Sequence, residues 1–171
     1  TAYDIAILSR ELITKFPEVT KIATIWMDSI THKTRRGESE FGLTNTNKLI
    51  KAYTGITGLK TGYTPESKHC LSATAHRNDM DLIAVVLASP DSKVRFREAA
   101  SLLDYGFANY VAKKGHHFED IIGHTPVAKG DKEKLEYKVE ETVTIVTSKD
   151  KAQEEMEHRI SINPNLTAPI E

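Results

Sequence analysis

Apolar and polar positions along the chain follow two regimes, a helical one at the start and an alternating one afterwards. Over residues 3–16, Ile5, Leu8, Leu12, Ile13 and Phe16 recur at spacings of mostly three and four, which lines one face of an α-helix. Thr1 and Asp4 form a T-x-x-D start signal, and Pro17 stops the helix because it has no N–H to donate. Residues 20–30 alternate instead, with Ile22, Thr24, Trp26 and Asp28 set against Ala23, Ile25 and Met27, and this predicts a strand. The polar stretch from Thr31 to Asn47, holding Arg35, Arg36, Gly37 and Gly42, predicts a hairpin and loop.

Residues 56–64 predict a short strand closed by the turn Pro65-Glu66-Ser67. Cys70 to His76 and Leu82 to Ala88 then form a hairpin around Arg77-Asn78-Asp79. The second of these strands is almost wholly apolar, so it must be covered on both faces, which places helices on both sides of the sheet. Residues 91–113, with Val94, Ala99, Leu102, Leu103, Phe107 and Tyr110 at helical spacing, supply one such helix. Ser89 or Asp91 caps its start, and Gly115 follows its end. After Phe118 the pattern turns to short alternating runs, Leu135-Tyr137-Val139 and Val143-Ile145, broken by Lys129-Gly130-Asp131 and Ser148-Lys149-Asp150. Pro164 and Pro169 precede Glu171 without an obvious closing strand, so this second unit is expected to be incomplete. The fold class is α/β, with a sheet-and-helix unit over 1–115 and a β-rich module over 116–171.

A length of 171 residues suits one domain with an appendage, on a prior of roughly 100 to 200 residues per domain. The longest purely apolar run, Leu82 to Ala88, is far short of the roughly 20 residues that cross a bilayer. Cys70 is the single cysteine, so no internal disulfide forms, and the seven histidines show no zinc spacing. No metal and no cofactor is expected. The net charge of −1 argues against a nucleic-acid partner. The average conceals an asymmetry: residues 1–118 hold 16 basic and 12 acidic groups, and residues 119–171 hold 7 and 12. Thr1 is not an initiator methionine and no secretory leader precedes the first helix, so the chain reads as a piece of a longer protein.

Candidate chemistry centres on Gly58-Leu59-Lys60-Thr61-Gly62-Tyr63-Thr64. A lysine in mid-strand offers an ammonium to an anion, Thr61 offers a hydroxyl, and Gly62 leaves room for a peptide backbone along the strand. Taken alone, a K-T-G tripeptide reads as an ordinary half-exposed edge strand. Its surroundings change that. Asn45-Thr46-Asn47-Lys48-Leu49-Ile50, the K-T-G segment, Leu71-Ser72-Ala73-Thr74-Ala75, Leu82-Ile83-Ala84-Val85-Val86-Leu87, then Arg95 and Leu102-Leu103-Asp104-Tyr105-Gly106-Phe107 occur in one order. With the opening helix from Tyr3 to Leu12, they resemble the serine D-alanyl-D-alanine carboxypeptidases, the low-molecular-mass penicillin-binding proteins.

The resemblance implies the latter part of a transpeptidase/β-lactamase-like domain, an antiparallel sheet flanked by helices, followed by a small β-rich module. It implies acyl transfer: a serine attacks a peptidoglycan stem peptide ending in D-Ala-D-Ala, D-alanine leaves, and water releases the acyl-enzyme. β-Lactams would occupy the same site, at the outer face of the cytoplasmic membrane or in the cell wall. Carried over, Lys60 is the catalytic cation, Thr61 and Gly62 meet the substrate, and the Tyr63 N–H completes an oxyanion hole. Thr64 and Arg95 would hold the substrate carboxylate, and Lys60 and Arg95 are expected to open onto one shared hollow.

Departures accompany the match. No S-x-x-K or S-x-N precedes Lys60, so the chain lacks its nucleophile, and the missing N-terminal segment of the same protein becomes an expected partner. Ser148-Lys149-Asp150-Lys151 and Ser161-Ile162-Asn163 imitate those motifs but lie downstream in the acidic module, where Ser148 opens no apolar helix. Thr57, His69 and Thr46 stand where the family commonly has aspartate, glycine and, in some members, arginine. The competing function is a non-catalytic peptide- or partner-binding module that keeps the K-T-G strand. A remnant of a class A β-lactamase is a third option, disfavoured because those enzymes carry no appended β-module. His116-His117 and Arg35-Arg36 read as solvated groups, and Cys70 as a small buried hydrophobe.

Overall fold

The structure is a computed structural model that describes residues 1–35, 37–117, 119–153, 161 and 166–168. Arg36, Phe118, His158, Pro164, Pro169, Glu171 and the Ile162-Asn163 half of the downstream S-x-N imitation lie outside the described residues. The chain divides into two compact units, Thr1–Asn109 and Tyr110–Glu171.

The first unit begins with α1 (Ala2–Lys15), whose start is a capping box: the Asp4 N–H donates to the Thr1 hydroxyl and the Thr1 backbone amine donates to the Asp4 carboxylate. A short helix, α2 (Val19–Ala23), then replaces the first part of the strand expected over 20–30. Threonine hydroxyls decide this: Thr20 donates to the Pro17 carbonyl and Thr24 to the Thr20 carbonyl, closing helical turns that the alternation had hidden. The expected hairpin forms from β1 (Met27–Thr34) and β2 (Gly37–Thr44), paired from Met27–Thr44 to Thr34–Gly37. A single helical turn, α3 (Leu49–Ala52), follows.

The sheet that organises the unit has the order β3 (Ile56–Thr64), β4 (Lys68–Arg77), β5 (Met80–Ser89), all antiparallel. The two-residue turn between β4 and β5 holds Asn78 and Asp79 at φ 52° and 59°, the left-handed pair that matches strand twist in a tight hairpin. β4 is central and buried without interruption from Leu71 to Ala75. Its odd-numbered residues Leu71, Ala73 and Ala75 pack with Ala84 and Val86 of β5, and with Ala99 and Leu103 of α4 (Ser92–Asn109). Its even-numbered Ser72 turns the other way and meets Ser9 of α1, each 5–7% exposed, across a 2.8 Å hydroxyl–hydroxyl bond. Helices therefore cover both faces of the sheet, as an all-apolar β5 requires. Asp91 caps α4 through its carboxylate, which accepts the Lys93 and Val94 N–H groups at 2.6 and 3.3 Å. Helix and strand pack tightly at Gly106, where an added Cβ would stand 2.4 Å from Leu82 Cδ1.

α4 ends at Asn109, not at 113. Tyr110 to Lys114 form β6 (Tyr110–Lys114) and pair antiparallel with β9 (Thr144–Ser148), a tertiary pairing that overrides the helical spacing of the preceding residues. The second unit adds β7 (Ile121–Ala128) and β8 (Lys134–Lys138), antiparallel to each other. A two-residue strand, β10 (Leu166–Thr167), runs parallel to β7 and was not legible in the pattern. Ser148 ends β9 and leads only into a three-residue 3₁₀ turn, so it opens no helix that could bury it beside Lys151.

Candidate active site

β3 carries Lys60, Thr61, Gly62, Tyr63 and Thr64, and it lies at the edge of the sheet with its outer side free of a partner strand among the described residues. Pleating sends Lys60 and Ser72, its cross-strand partner, toward α1. Lys60 is exposed over a cavity of about 570 Å³ walled by Ile5, Leu8, Leu12, Ala23 and Leu71, with the Ser9–Ser72 pair inside it. Its ammonium donates to the Thr61 carbonyl at 2.6 Å, which leaves two of its three N–H groups for a ligand. A larger hollow of about 930 Å³ extends past Tyr3, Arg10, His76 and Asp81 and contains none of these site residues.

Thr61, 9% exposed, shares a hydroxyl–hydroxyl bond with Thr46. Two asparagines hold Thr46 in place. The Asn45 amide donates to the Ala23 and Ile25 carbonyls at 3.0 and 2.9 Å, and its oxygen accepts the Asn47 N–H at 2.9 Å. The Asn47 amide donates to the Gly58 carbonyl, and its oxygen accepts the Leu49 N–H. Gly58 has φ +146°, and a Cβ there would press within 3.1 Å of the Ala23 Cβ, so this close approach needs glycine. The Asn45-Thr46-Asn47 segment is thus tied to the K-T-G strand by the Thr46–Thr61 hydroxyl pair and the Asn47 amide, while Asn45 anchors it to the chain at the end of α2.

Tyr63 is 60% exposed, with its ring 4.7 Å from the His69 ring. The Thr64 hydroxyl accepts the Ser67 N–H at 3.0 Å and so braces the β3–β4 turn. Cys70, half-buried, donates its thiol to the Ser67 carbonyl at 3.2 Å and is not the core side chain expected.

Arg95 corrects the expected shared hollow. It is 7% exposed and rises from the first turn of α4, on the side of the sheet opposite α1. One terminal nitrogen donates to the Gly62 carbonyl at 3.0 Å and to the Cys70 carbonyl at 3.2 Å. Its Nε is buried with no hydrogen-bond partner among the described residues, and the guanidinium stacks 4.8 Å from the Phe96 ring. Burial pulls its pKa below the ordinary arginine value, opposed by the nearby Cys70 sulfur, yet it remains a cation. The guanidinium therefore clamps the main chain of the K-T-G strand from behind, and Lys60 alone faces the cavity. Sequence spacing placed both cations near the strand and could not say which way either points. The Ser9–Ser72 pair did leave a readable sign, a serine inside the apolar stripe of α1.

The sequence profile of the D-alanyl-D-alanine carboxypeptidases matches residues 1–91. The chain is 34% identical over all its residues to D-alanyl-D-alanine carboxypeptidase DacF of Bacillus subtilis, of which it covers 43%. Among solved structures, penicillin binding protein 5 from Haemophilus influenzae superposes with a TM-score of 0.72 at 31% identity, over 97% of this chain and 46% of that one. A peptidoglycan synthesis regulatory factor from Streptococcus pneumoniae does so with a TM-score of 0.69 at 28% identity, over 87% and 42%. The chain thus spans less than half the length of these relatives. A profile that covers more than half of the residues, and that includes the K-T-G strand with its asparagine-bracketed neighbour, places this chain in the D-alanyl-D-alanine carboxypeptidase family.

Proposed function

We propose that the chain supplies the K-T-G strand and the β-rich module of a serine D-Ala-D-Ala carboxypeptidase. The parent enzyme trims the terminal D-alanine from peptidoglycan stem peptides and is acylated by β-lactams. It acts outside the cytoplasmic membrane, and this portion is silent in the absence of its nucleophile. The observation that carries the reading is the placement of the Lys60 ammonium on an open strand edge next to Gly62, in a chain of this family.

In this reading the stem peptide lies along the outer edge of β3, where Gly62 offers no side chain to obstruct it. The serine, contributed by the missing N-terminal segment, attacks the carbonyl of the penultimate D-alanine. The Tyr63 N–H takes part of the charge that develops on the carbonyl oxygen, a donor whose loss typically slows such reactions about a hundred- to thousand-fold. Lys60 and Thr61 hold the anionic end of the peptide, Thr64 borders it, and Arg95 keeps the Gly62 carbonyl in register from the far side. The bond to the leaving D-alanine breaks, and water then hydrolyses the ester.

Nuclear magnetic resonance titration of the 171-residue chain with diacetyl-L-Lys-D-Ala-D-Ala tests the reading. The expected result is millimolar binding that shifts β3 resonances, favours the D,D peptide over its L,L isomer, and is lost in Lys60→Gln. Equal binding of both isomers, or none, overturns it. Mass spectrometry after penicillin treatment is expected to find no covalent adduct on the isolated chain, and an adduct overturns the absence of the nucleophile. The second reading, a non-catalytic peptide-binding module, draws on one observation: among the described residues, Lys60 bonds a main-chain carbonyl and no serine hydroxyl. Failure of penicillin to acylate a parent protein that contains an upstream S-x-x-K would favour it.

A further inference from the structure

α1 is apolar on more sides than the sheet covers. Ile5, Leu8 and Leu12 border the cavity under Lys60, while Tyr3, Ile7 and Ile13 line the separate hollow of about 930 Å³, together with Leu82 and Ile83 of β5. Ser9 is the one buried residue of the helix, and Tyr3 is 73% exposed. A helix with apolar groups all round belongs inside a larger core, and apolar surface left open beside it marks a contact site. One cation stands in this setting. Arg10, two helical turns after Tyr3 on the same flank, also lines the hollow, and no hydrogen bond or ion pair engages its guanidinium among the described residues. The nearby carboxylates are taken: Glu11 holds Lys15 at 2.7 Å, and Asp81, at the same hollow, pairs with His76 Nδ1 at 3.0 Å.

We propose that this hollow is the seat of another segment of the parent protein, an apolar stretch that brings a carboxylate to Arg10. The proposal rests on the carboxypeptidase reading above and adds to it an assembly surface set apart from the Lys60 cavity. Two observations choose this occupant over a second copy of the chain. The relatives carry more than half of their length outside the match, which is chain enough to cover the hollow. Thr1 caps α1, so a segment joined to it meets the helix at Tyr3, on the flank of the hollow. The charge of the seat fixes the chemistry of what fills it. Covering an unpaired guanidinium with apolar groups is costly unless a carboxylate meets it, and the planar fork of arginine meets one through two parallel bonds. Tyr3 and Arg10 are also of the residue types that dominate contact energies when buried at an interface.

The experiment expresses the 171-residue chain together with the segment encoded upstream of Thr1, as separate polypeptides, and measures their complex by sedimentation. The expected result is a one-to-one complex that Arg10→Ala and Tyr3→Ala each weaken roughly ten-fold or more. Lys15→Ala, on the same helix but outside the hollow, should leave it within about two-fold. Tyr3 and Arg10 are exposed in the isolated chain, so both variants should melt like wild type when alone, which separates lost association from misfolding. A second measurement uses the intact parent: phenylglyoxal should modify Arg10 in the isolated chain and spare it in the parent. Equal modification of Arg10 in both, or a gene that encodes nothing upstream of Thr1, overturns the inference. A complex indifferent to both substitutions overturns it too, because the segment then sits elsewhere. Self-association of the isolated chain that Tyr3→Ala abolishes overturns it in favour of a second copy. A complex that behaves as expected but is not acylated by penicillin supports the assembly surface and removes the carboxypeptidase reading.

Discussion

The Arg95 guanidinium donates across 3.0 Å to the carbonyl of Gly62, thirty-three residues earlier in the chain. A cation that resemblance assigns to a ligand donates, through one terminal nitrogen, to the backbone of the strand that would bind that ligand. That contact ties the start of α4 to the outermost strand of the sheet.

Arg95→Ala strips the Gly62 and Cys70 carbonyls of this donor in a buried setting, and it should lower unfolding free energy by about 1 to 3 kcal/mol. Arg95→Lys should recover part of the loss, because an ammonium reaches one carbonyl but does not fill the guanidinium's plane. Urea denaturation checks both. An Arg95→Ala protein as stable as wild type would show that these two bonds add nothing to the stability of the fold.

Tyr53 gives the fold a pH dependence on the alkaline side. Its phenol donates to Asp104 at 2.7 Å, and burial followed by that bond pushes its pKa from 10.0 up to about 12. An acid whose folded pKa is raised contributes stability that is complete below its unfolded pKa and fades as pH climbs through the folded one. Stability should therefore decline between pH 10 and pH 12, and Tyr53→Phe should flatten that decline. Melting temperatures across the window, with and without the substitution, decide it. The Arg77 guanidinium, 4.4 Å from the Tyr53 ring and 4.8 Å from that of Phe107, should hold the ring in place in both proteins.

Gly106→Val forces a branched side chain into the space where an added Cβ already falls 2.4 Å from Leu82 Cδ1. Overpacking of this kind costs about 1 to 3 kcal/mol. Gly106→Ala combined with Leu82→Ala should be less destabilised than the sum of its single changes, because one deletion makes room for the other. Thermal denaturation of the four proteins measures the difference.

Ser9 and Ser72 form the polar link between α1 and the sheet, with Ser9 also donating to the Ile5 carbonyl at 2.7 Å. Each alanine substitution should lower stability by about 1 kcal/mol. The double change should cost clearly less than the sum, since the second removal finds the bond already broken. Strict additivity would mean that the two hydroxyls are satisfied independently.

The legible parts of this molecule were those whose signals are local. The helix from Ala2, the strands around K-T-G and the Asn78-Asp79 turn each declare themselves through spacing, a cap or a left-handed pair of residues. Val19 to Ala23 misled because threonine and isoleucine favour strands on average, whereas here threonine hydroxyls close helical turns against the Pro17 and Thr20 carbonyls. Tyr110 to Ala112 misled because their partners, Val146 to Ser148, lie more than thirty residues on. At the candidate site, residue types and order were readable, but direction was not. The side of the sheet from which a guanidinium arrives, and the hydroxyl fifteen residues away that a threonine chooses, are decided only when the strands pair.

One outer margin of the sheet has a practical consequence. Ten residues, Met80 to Ser89, run along it with a single charged side chain, Asp81, and no proline, and Leu87 is 42% exposed. Among the described residues no strand pairs with its outer side, and an unpaired edge of this kind is a template for pairing with another extended chain. In concentrated solution the molecule should template ribbons of its own kind, visible as rising light scattering, unless a lysine introduced at Leu87 acts as gatekeeper.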